Sequence, residues 1–339
     1  MKSFYSHFEK LAQGLSERSR DILRERFGVV SGRAKTLEEI GQKYGITRAR
    51  VRQIIRSALK DVQARGGNHF QEVSEILEAT LSAKSGIVTE RGLLEQLGRG
   101  DAKEEAAIRF FLECLPLVQP IKEDARIERS YALKSFSLDE WKAAMRDVVK
   151  LLEAEKHAID KDVLMEKFSH KESSQAVARK LFDYIAVSNE VKSNAFGKFG
   201  LAFWSDITPK GTREKAYLVL KAIHKPLHFR EITDLIDEYG LNKSSKKKTH
   251  PQTVHNELIK DDRFVLVGRG IYALSEWGYA QGTVREVISD VLRKYEEPMK
   301  RTDIIREVLA LRQVKKSTIV INLNTFFAKV GKDAYTLKR

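Results

Sequence analysis

The chain has 339 residues, with 61 Lys and Arg against 47 Asp and Glu, for a formal net charge of +14. A composition of 42% hydrophobic and 32% charged residues is that of a chain able to bury cores, which excludes a disordered polyelectrolyte. No apolar run approaches the roughly 18 to 20 residues of a membrane helix, the start Met1-Lys2-Ser3-Phe4-Tyr5 lacks a signal-peptide apolar region, and a single cysteine, Cys114, excludes an intramolecular disulfide and a cysteine-rich zinc site. A cytoplasmic, nucleoid-associated protein without membrane contact is expected.

The positive charge is segregated. Residues 1–66 carry 15 basic against 7 acidic side chains, the stretches 67–134 and 135–209 are slightly acidic, and both 210–280 and 281–339 are basic again. Clustered cations at both ends fit a polyanion partner, because phosphate neutralisation needs local rather than average charge.

In chain order, Glu17 to Phe27 reads as a helix with Ile22, Leu23 and Phe27 apolar, ended by Gly28. After a loop from Val29 to Lys35, Thr36-Leu37-Glu38-Glu39 has the spacing of a capping box, opening a helix that runs to Tyr44 and stops at Gly45. Thr47 then caps another helix, in which Val51, Ile54, Ala58 and Leu59 are expected to form the apolar stripe. Two short helices joined by a tight glycine-containing turn form a helix-turn-helix. On the second helix Arg48, Arg52 and Arg56 recur at i, i+4 and i+8, with Arg50 and Gln53 beside them. Guanidinium forks suit phosphates and the O6/N7 edge of guanine, and a side-chain amide suits adenine.

The stretch Thr36-Leu37-Glu38-Glu39-Ile40-Gly41-Gln42-Lys43-Tyr44-Gly45-Ile46-Thr47-Arg48-Ala49-Arg50-Val51-Arg52-Gln53-Ile54, with Leu15-Ser16-Glu17-Arg18 and Leu23-Arg24-Glu25-Arg26-Phe27-Gly28 before it, resembles region 4 of the primary bacterial sigma factors. The resemblance covers about 50 residues. It implies a module that reads the −35 promoter element through its second helix and docks on the flap of the RNA polymerase β subunit, with Thr36, Thr47, Arg48, Ala49, Arg50, Arg52, Gln53 and Arg56 in the DNA-facing set. Ala49 stands where the family usually has Glu, whose carboxylate accepts from a cytosine amino group, so the usual −35 preference does not carry over at that position. No aromatic-rich stretch like the family's region 2 is found, which argues against a complete sigma factor.

Beyond Gly67 a weak repeat shows in the endings Tyr131-Ala132-Leu133, Leu201-Ala202-Phe203, Tyr272-Ala273-Leu274 and Tyr335-Thr336-Leu337. A spacing of this size is that of a small domain rather than a solenoid repeat. Each ending closes a series of three helices and two short β-rich runs. In the third unit these are 212–223, 229–239, 251–260, 264–267 and 271–274, with Gly268-Arg269-Gly270 as a hairpin turn. Three helices and a hairpin are the winged-helix arrangement. The fold class is therefore read as mainly α with small β-hairpin wings: a helix-turn-helix domain over 1–66, followed by winged-helix units over 67–136, 137–209, 210–280 and 281–339. A fragment ending near Gly67 is expected to fold and bind DNA alone, more weakly than the full chain.

The third unit, through Pro226-Leu227-His228-Phe229-Arg230-Glu231-Ile232, Pro251-Gln252-Thr253-Val254-His255-Asn256-Glu257-Leu258 and Phe264 to Tyr279, resembles the HARE-HTH module, which implies a winged helix that binds DNA or polymerase. Lys243 and Lys246-Lys247-Lys248 lead into its third helix, and Lys315-Lys316 into that of the fourth unit. These lysines are read as phosphate contacts, whereas units one and two, with Lys103-Glu104-Glu105 and Lys171-Glu172 at the same place, read as spacers or protein-docking surfaces.

The scattered histidines have no Cys or acidic partner at metal-ligand spacing, Asp160, Asp162, Asp261 and Asp262 sit where Asp caps helices or turns, and no phosphate loop or nucleophile elbow is present. The sequence therefore reads as a non-enzymatic, sigma-like DNA-binding protein of bacterial transcription with double-stranded DNA and RNA polymerase as partners, and with no cofactor, metal or small-molecule substrate. The rival reading is a polymerase-associated adaptor that grips the β flap and binds little DNA.

Overall fold

The computed structural model describes residues 3–170, 177–242 and 248–338. The chain divides into two compact units, 1–192 and 193–339. Both are built of helices with small antiparallel sheets.

The first unit starts with a helix that the sequence reading did not anticipate, α1 (Phe4–Gln13), capped by Ser3 and burying Phe4, His7, Phe8, Leu11 and Ala12. α2 (Glu17–Phe27) is capped by Ser16 and closed by Gly28 in the left-handed conformation. α3 (Leu37–Tyr44) and α4 (Arg48–Arg65) follow. Gly66 keeps helical dihedrals and leads without a linker into α5 (Gly67–Ser82). After it come β1 (Ile87–Thr89), α6 (Glu90–Leu93) with a π-helical turn to Gly98, α7 (Ala102–Cys114), β2 (Val118–Ile121) and β3 (Ser130–Leu133). The last part holds α8 (Leu138–Glu155), α9 (Lys161–Ser169), α10 (Leu181–Ala186) and β4 (Val191–Ser193).

One core joins the helix-turn-helix to the winged helix that follows it. Buried apolar residues run from Phe4 through Val62 and on from Val73 to Tyr131 as a single cluster. The reason lies in α7, the third helix of its winged unit, where Ala106, Ala107, Ile108, Phe110, Phe111, Leu112 and Cys114 are all buried. Phe110 meets Phe8 and Phe27 edge to face, with ring centroids 4.9 and 5.4 Å away, and Phe111 meets Phe70 at 5.8 Å. Polar ties reinforce the joint: Glu104 Oε2 accepts from the Phe4 amide at 2.8 Å, and Gln63 Nε2 donates to the Cys114 carbonyl at 2.7 Å.

The second unit contains β5 (Phe199–Leu201), then α11 (Thr212–Ile223), β6 (Leu227–His228), α12 (Phe229–Glu238), α13 (Pro251–Ile259), β7 (Phe264–Gly268) and β8 (Ile271–Leu274). A second such series follows: α14 (Val284–Tyr295), β9 (Met299–Lys300), α15 (Arg301–Leu311), α16 (Lys316–Phe326), β10 (Ala328–Val330) and β11 (Ala334–Thr336). The sheets that end at β3, β8 and β11 have three strands, not the two of the sequence reading. β1, β6 and β9 each pair with the last strand of their own series, giving the orders β1-β3-β2, β6-β8-β7 and β9-β11-β10. Two or three residues are too few for a period-2 signal.

The hairpin β7–β8 is not a free wing along its length. Its second face buries Val265, Val267 and Ala273 with Trp277 and Tyr279 partly over them. A Cβ on Gly268 would fall 2.8 Å from the Gln313 carbonyl, so this glycine permits the hairpin to touch the segment before α16. The Ala280 amide donates to the Leu311 carbonyl at 3.1 Å, and Arg312, 7% exposed, donates to the Gly282 carbonyl.

Candidate nucleic-acid interface

The geometry of α3, the turn and α4 follows from a few residues. Thr36 Oγ1 accepts from the Glu39 amide at 3.2 Å and Glu39 Oε2 accepts from the Thr36 amide at 2.8 Å, a closed capping box. Gly45 ends α3 at φ 64°, where a Cβ is disfavoured. Ile46 N donates to the Gly41 carbonyl at 3.0 Å, and a Cβ on Gly41 would fall 2.6 Å from the Ile46 carbonyl oxygen, so Gly41 sets how closely the turn folds on α3. Thr47 Oγ1 accepts from the Arg50 amide at 3.2 Å and opens α4.

α4 buries Val51, Ile55, Ala58 and Val62. The stripe is thus rotated from the expected one: Ile54 and Leu59 are only half-buried. Positions at i, i+4, i+7 and i+11 lie on one line of a 3.6-residue helix, and that line faces α2 and α3.

Thr47, Arg48, Ala49, Arg50, Arg52, Gln53 and Arg56 are all exposed, as is Thr36 at the start of α3. Arg50 Nη1 donates to Gln53 Oε1 at 2.7 Å. Among the described residues no carboxylate forms an ion pair with Arg48, Arg50, Arg52 or Arg56. Nearby acidic groups are taken up elsewhere. Glu25, whose side chain is 4% exposed, pairs with Lys35 and Lys43 and so ties α2 to the loop and to α3. Burial works to raise the Glu25 carboxyl, but the hydrogen bonds from the two lysines outweigh it and hold it below the ordinary carboxylate range. Glu39 is held by Thr36 and by Arg33. The outward face of α4 therefore presents uncompensated guanidinium groups.

The other expected phosphate contacts belong to the second unit. Lys248 is exposed just ahead of α13, Lys315 is the N-cap of α16 and Lys316 its first residue, both exposed. Lys243, Lys246, Lys247 and the Lys171-Glu172 pair lie outside the described residues. Among the described residues no group of three or more His, Cys, Asp or Glu is placed to hold a metal ion, and no helix is long and apolar enough to cross a membrane. Sequence reasoning missed α1 and the outward row of α13, whose amide and hydroxyl side chains carry no charge signal.

Residues 11–64 match the family described as Sigma-70, region 4, and residues 212–277 match the HARE-HTH family, a helix-turn-helix domain whose description includes restriction endonucleases. Over 55 residues the chain is 53% identical to RNA polymerase sigma factor SigA of Nostoc sp., which is 16% of this chain and 14% of that protein. It is 42% identical over 65 residues to RNA polymerase sigma factor sigB of Arabidopsis thaliana, 19% of this chain and 11% of that protein. Against SigA of Listeria monocytogenes it is 39% identical over 70 residues, 21% of this chain and 18% of that protein. The chain thus spans less than a fifth of the length of these curated relatives. It carries a helix-turn-helix similar to sigma-70 region 4 on α2 to α4, and a segment similar to the HARE-HTH family on α11 to β8.

Proposed function

We propose that this chain is a non-enzymatic, sigma-like transcription factor that reads promoter DNA in the major groove with α4 and contacts DNA or RNA polymerase through its C-terminal winged helices, in the cytoplasm on the nucleoid. The observation that carries this reading is the exposed row Arg48, Arg52 and Arg56, with Arg50 and Gln53, on the second helix of a tight helix-turn-helix and without an ion-paired carboxylate among the described residues. Arg48 and Arg56 serve as phosphate contacts, while Arg52 and Gln53 stand where base edges would lie. Thr36 and Thr47 offer hydroxyls beside helix N-termini, which favour phosphate. Lys246, Lys247, Lys248, Lys315 and Lys316 add phosphate contacts.

Polymerase docking is the second reading, and one observation favours it for the fourth winged unit. Its third helix leaves two apolar side chains exposed, Ile321 at 63% and Phe326 at 40%, which a protein partner would cover. For the N-terminal module, α7 packs against α1 and α2 through Phe110, so a polymerase element would have to dock on another face.

A salt titration separates the readings. A DNA binder loses affinity with a slope of about −0.9 in log K against log salt for each phosphate met, and replacing Arg48, Arg52 and Arg56 with Gln should make that slope shallower. A wild-type protein with no measurable duplex affinity at low salt, yet bound to polymerase, establishes the adaptor reading.

A further inference from the structure

α13 turns Val254 and Leu258 into the core of the third winged unit. Its outward side carries Gln252, Thr253 and Asn256, then Ile259 at 63% exposure and Lys260 just beyond its end. Gln252 Nε2 donates to Asn256 Oδ1 at 3.1 Å, which aligns two side-chain amides one helical turn apart. The one carboxylate on α13, Glu257, turns to Arg213 Nη2 at 3.1 Å, and Asp261 beyond it is held by Arg263 Nη2 at 2.7 Å. The outward row therefore offers amides, a hydroxyl and a branched apolar side chain, between Lys248 and Lys260, with no carboxylate of its own to repel phosphate.

The chemistry of the row is selective. Adenine shows an acceptor at N7 and a donor at N6 in the major groove, which one side-chain amide meets with its N–H and C=O, whereas guanine shows two acceptors and suits arginine. The α13 row contains no arginine. Thymine adds a methyl group, and an exposed Ile one turn past Asn256 is an apolar surface for it. An α-helix with its side chains is about 10–12 Å across, which the major groove, about 12 Å wide, admits.

We propose that α13 is a second base-reading helix directed at A·T pairs, with Gln252 and Asn256 on adenine, Ile259 against thymine, and Lys248 and Lys260 on the flanking phosphates. The inference rests on the reading of the chain as a duplex-DNA binder, and it gives the third winged unit a base preference in place of phosphate contact alone.

Selection of full-length protein against a random duplex library tests it, using wild type, Arg52→Ala, Asn256→Ala and Asn256→Arg. Wild type should return two blocks, one of them A·T-rich. Arg52→Ala should weaken only the first. Asn256→Ala should lose about 5- to 150-fold of discrimination at one A·T position and keep the first block. Asn256→Arg should move that position to G·C, a gain that local unfolding cannot produce. A wild-type motif unchanged by both Asn256 substitutions overturns the role of α13 and leaves α4 as the reader. A library that wild type fails to enrich overturns the DNA-binding reading as well.

Discussion

Phe8 of α1 meets Phe110 of α7 edge to face at a ring-centroid distance of 4.9 Å, and both side chains are almost fully buried. The contact joins a helix of the N-terminal module to the helix that would enter a groove in a free-standing winged helix. α7 is thereby spent on internal packing, and the first winged unit acts as a platform for α1 to α4.

Truncating Phe110 to Ala is expected to cost about 3–5 kcal/mol, measured by urea denaturation, and to loosen α1 and α2 together with α7 in hydrogen exchange. A fragment ending at Gly66 loses Phe110, Phe111 and the Glu104 cap at once. It should be much less stable than a fragment ending at residue 136, contrary to the autonomy expected from the sequence. Equal unfolding midpoints for the two fragments would show that the shared core contributes nothing to the reading module.

The Glu25 link to Lys35 and Lys43 makes the module acid-sensitive. Its carboxyl is lower in the folded state than in the unfolded chain, so the stabilisation is whole above the unfolded value, about 4.3, and is lost as pH falls through the folded-state value. Glu25→Gln should therefore lower the urea midpoint near neutral pH, and the gap to wild type should close as the pH falls through the folded-state value. A gap that stays constant across the range would mean that Glu25 ionisation contributes nothing to the link.

The two glycines of the turn should behave differently. Gly45→Ala meets no atom within 4 Å and carries only the left-handed penalty, about 1–2 kcal/mol, so DNA affinity should be retained under conditions where the protein is folded. Gly41→Ala drives a Cβ to 2.6 Å from the Ile46 carbonyl oxygen, which must push α4 away from α3. It should lose DNA affinity even when folded. Measured affinities in the opposite order would mean that this turn does not set the position of α4.

Replacing Lys248, Lys315 and Lys316 with Gln should reduce the salt slope by about 0.9 for each lysine that meets a phosphate, with the preferred sequence unchanged, because phosphate contacts position a protein without reading bases. An unchanged slope would assign these lysines to solvent or to a protein surface.

Much of the site was legible in the sequence because local chemistry dictates it. Thr36 and Glu39 at capping-box spacing, Gly45 at the helix end and Thr47 two residues later specify the helix-turn-helix without any tertiary information, and the arginine row follows from its period of four. What stayed hidden depends on long-range contact. The apolar run Phe110-Phe111-Leu112 reads as core, but nothing in it says that the neighbour is α1, about a hundred residues earlier. Ile54 and Ile55 are adjacent isoleucines, and which one is buried is settled by the packing of α2 and α3 against α4. In β6 and β9 the two paired residues are recognisable only from the strand beside them. Glu257 leaves the outward side of α13 because Arg213, 44 positions earlier, holds it.

Base reading by α4 is tested most directly by the duplexes that wild type, Arg52→Ala and Ala49→Glu select from a random library. Arg52→Ala should relax preference at one or two positions at a cost of about 1–3 kcal/mol for the base concerned, and Ala49→Glu should shift a position toward cytosine by supplying an acceptor for its amino group. If all three proteins return the same motif, or none returns any, α4 does not read sequence and the polymerase-adaptor reading takes its place.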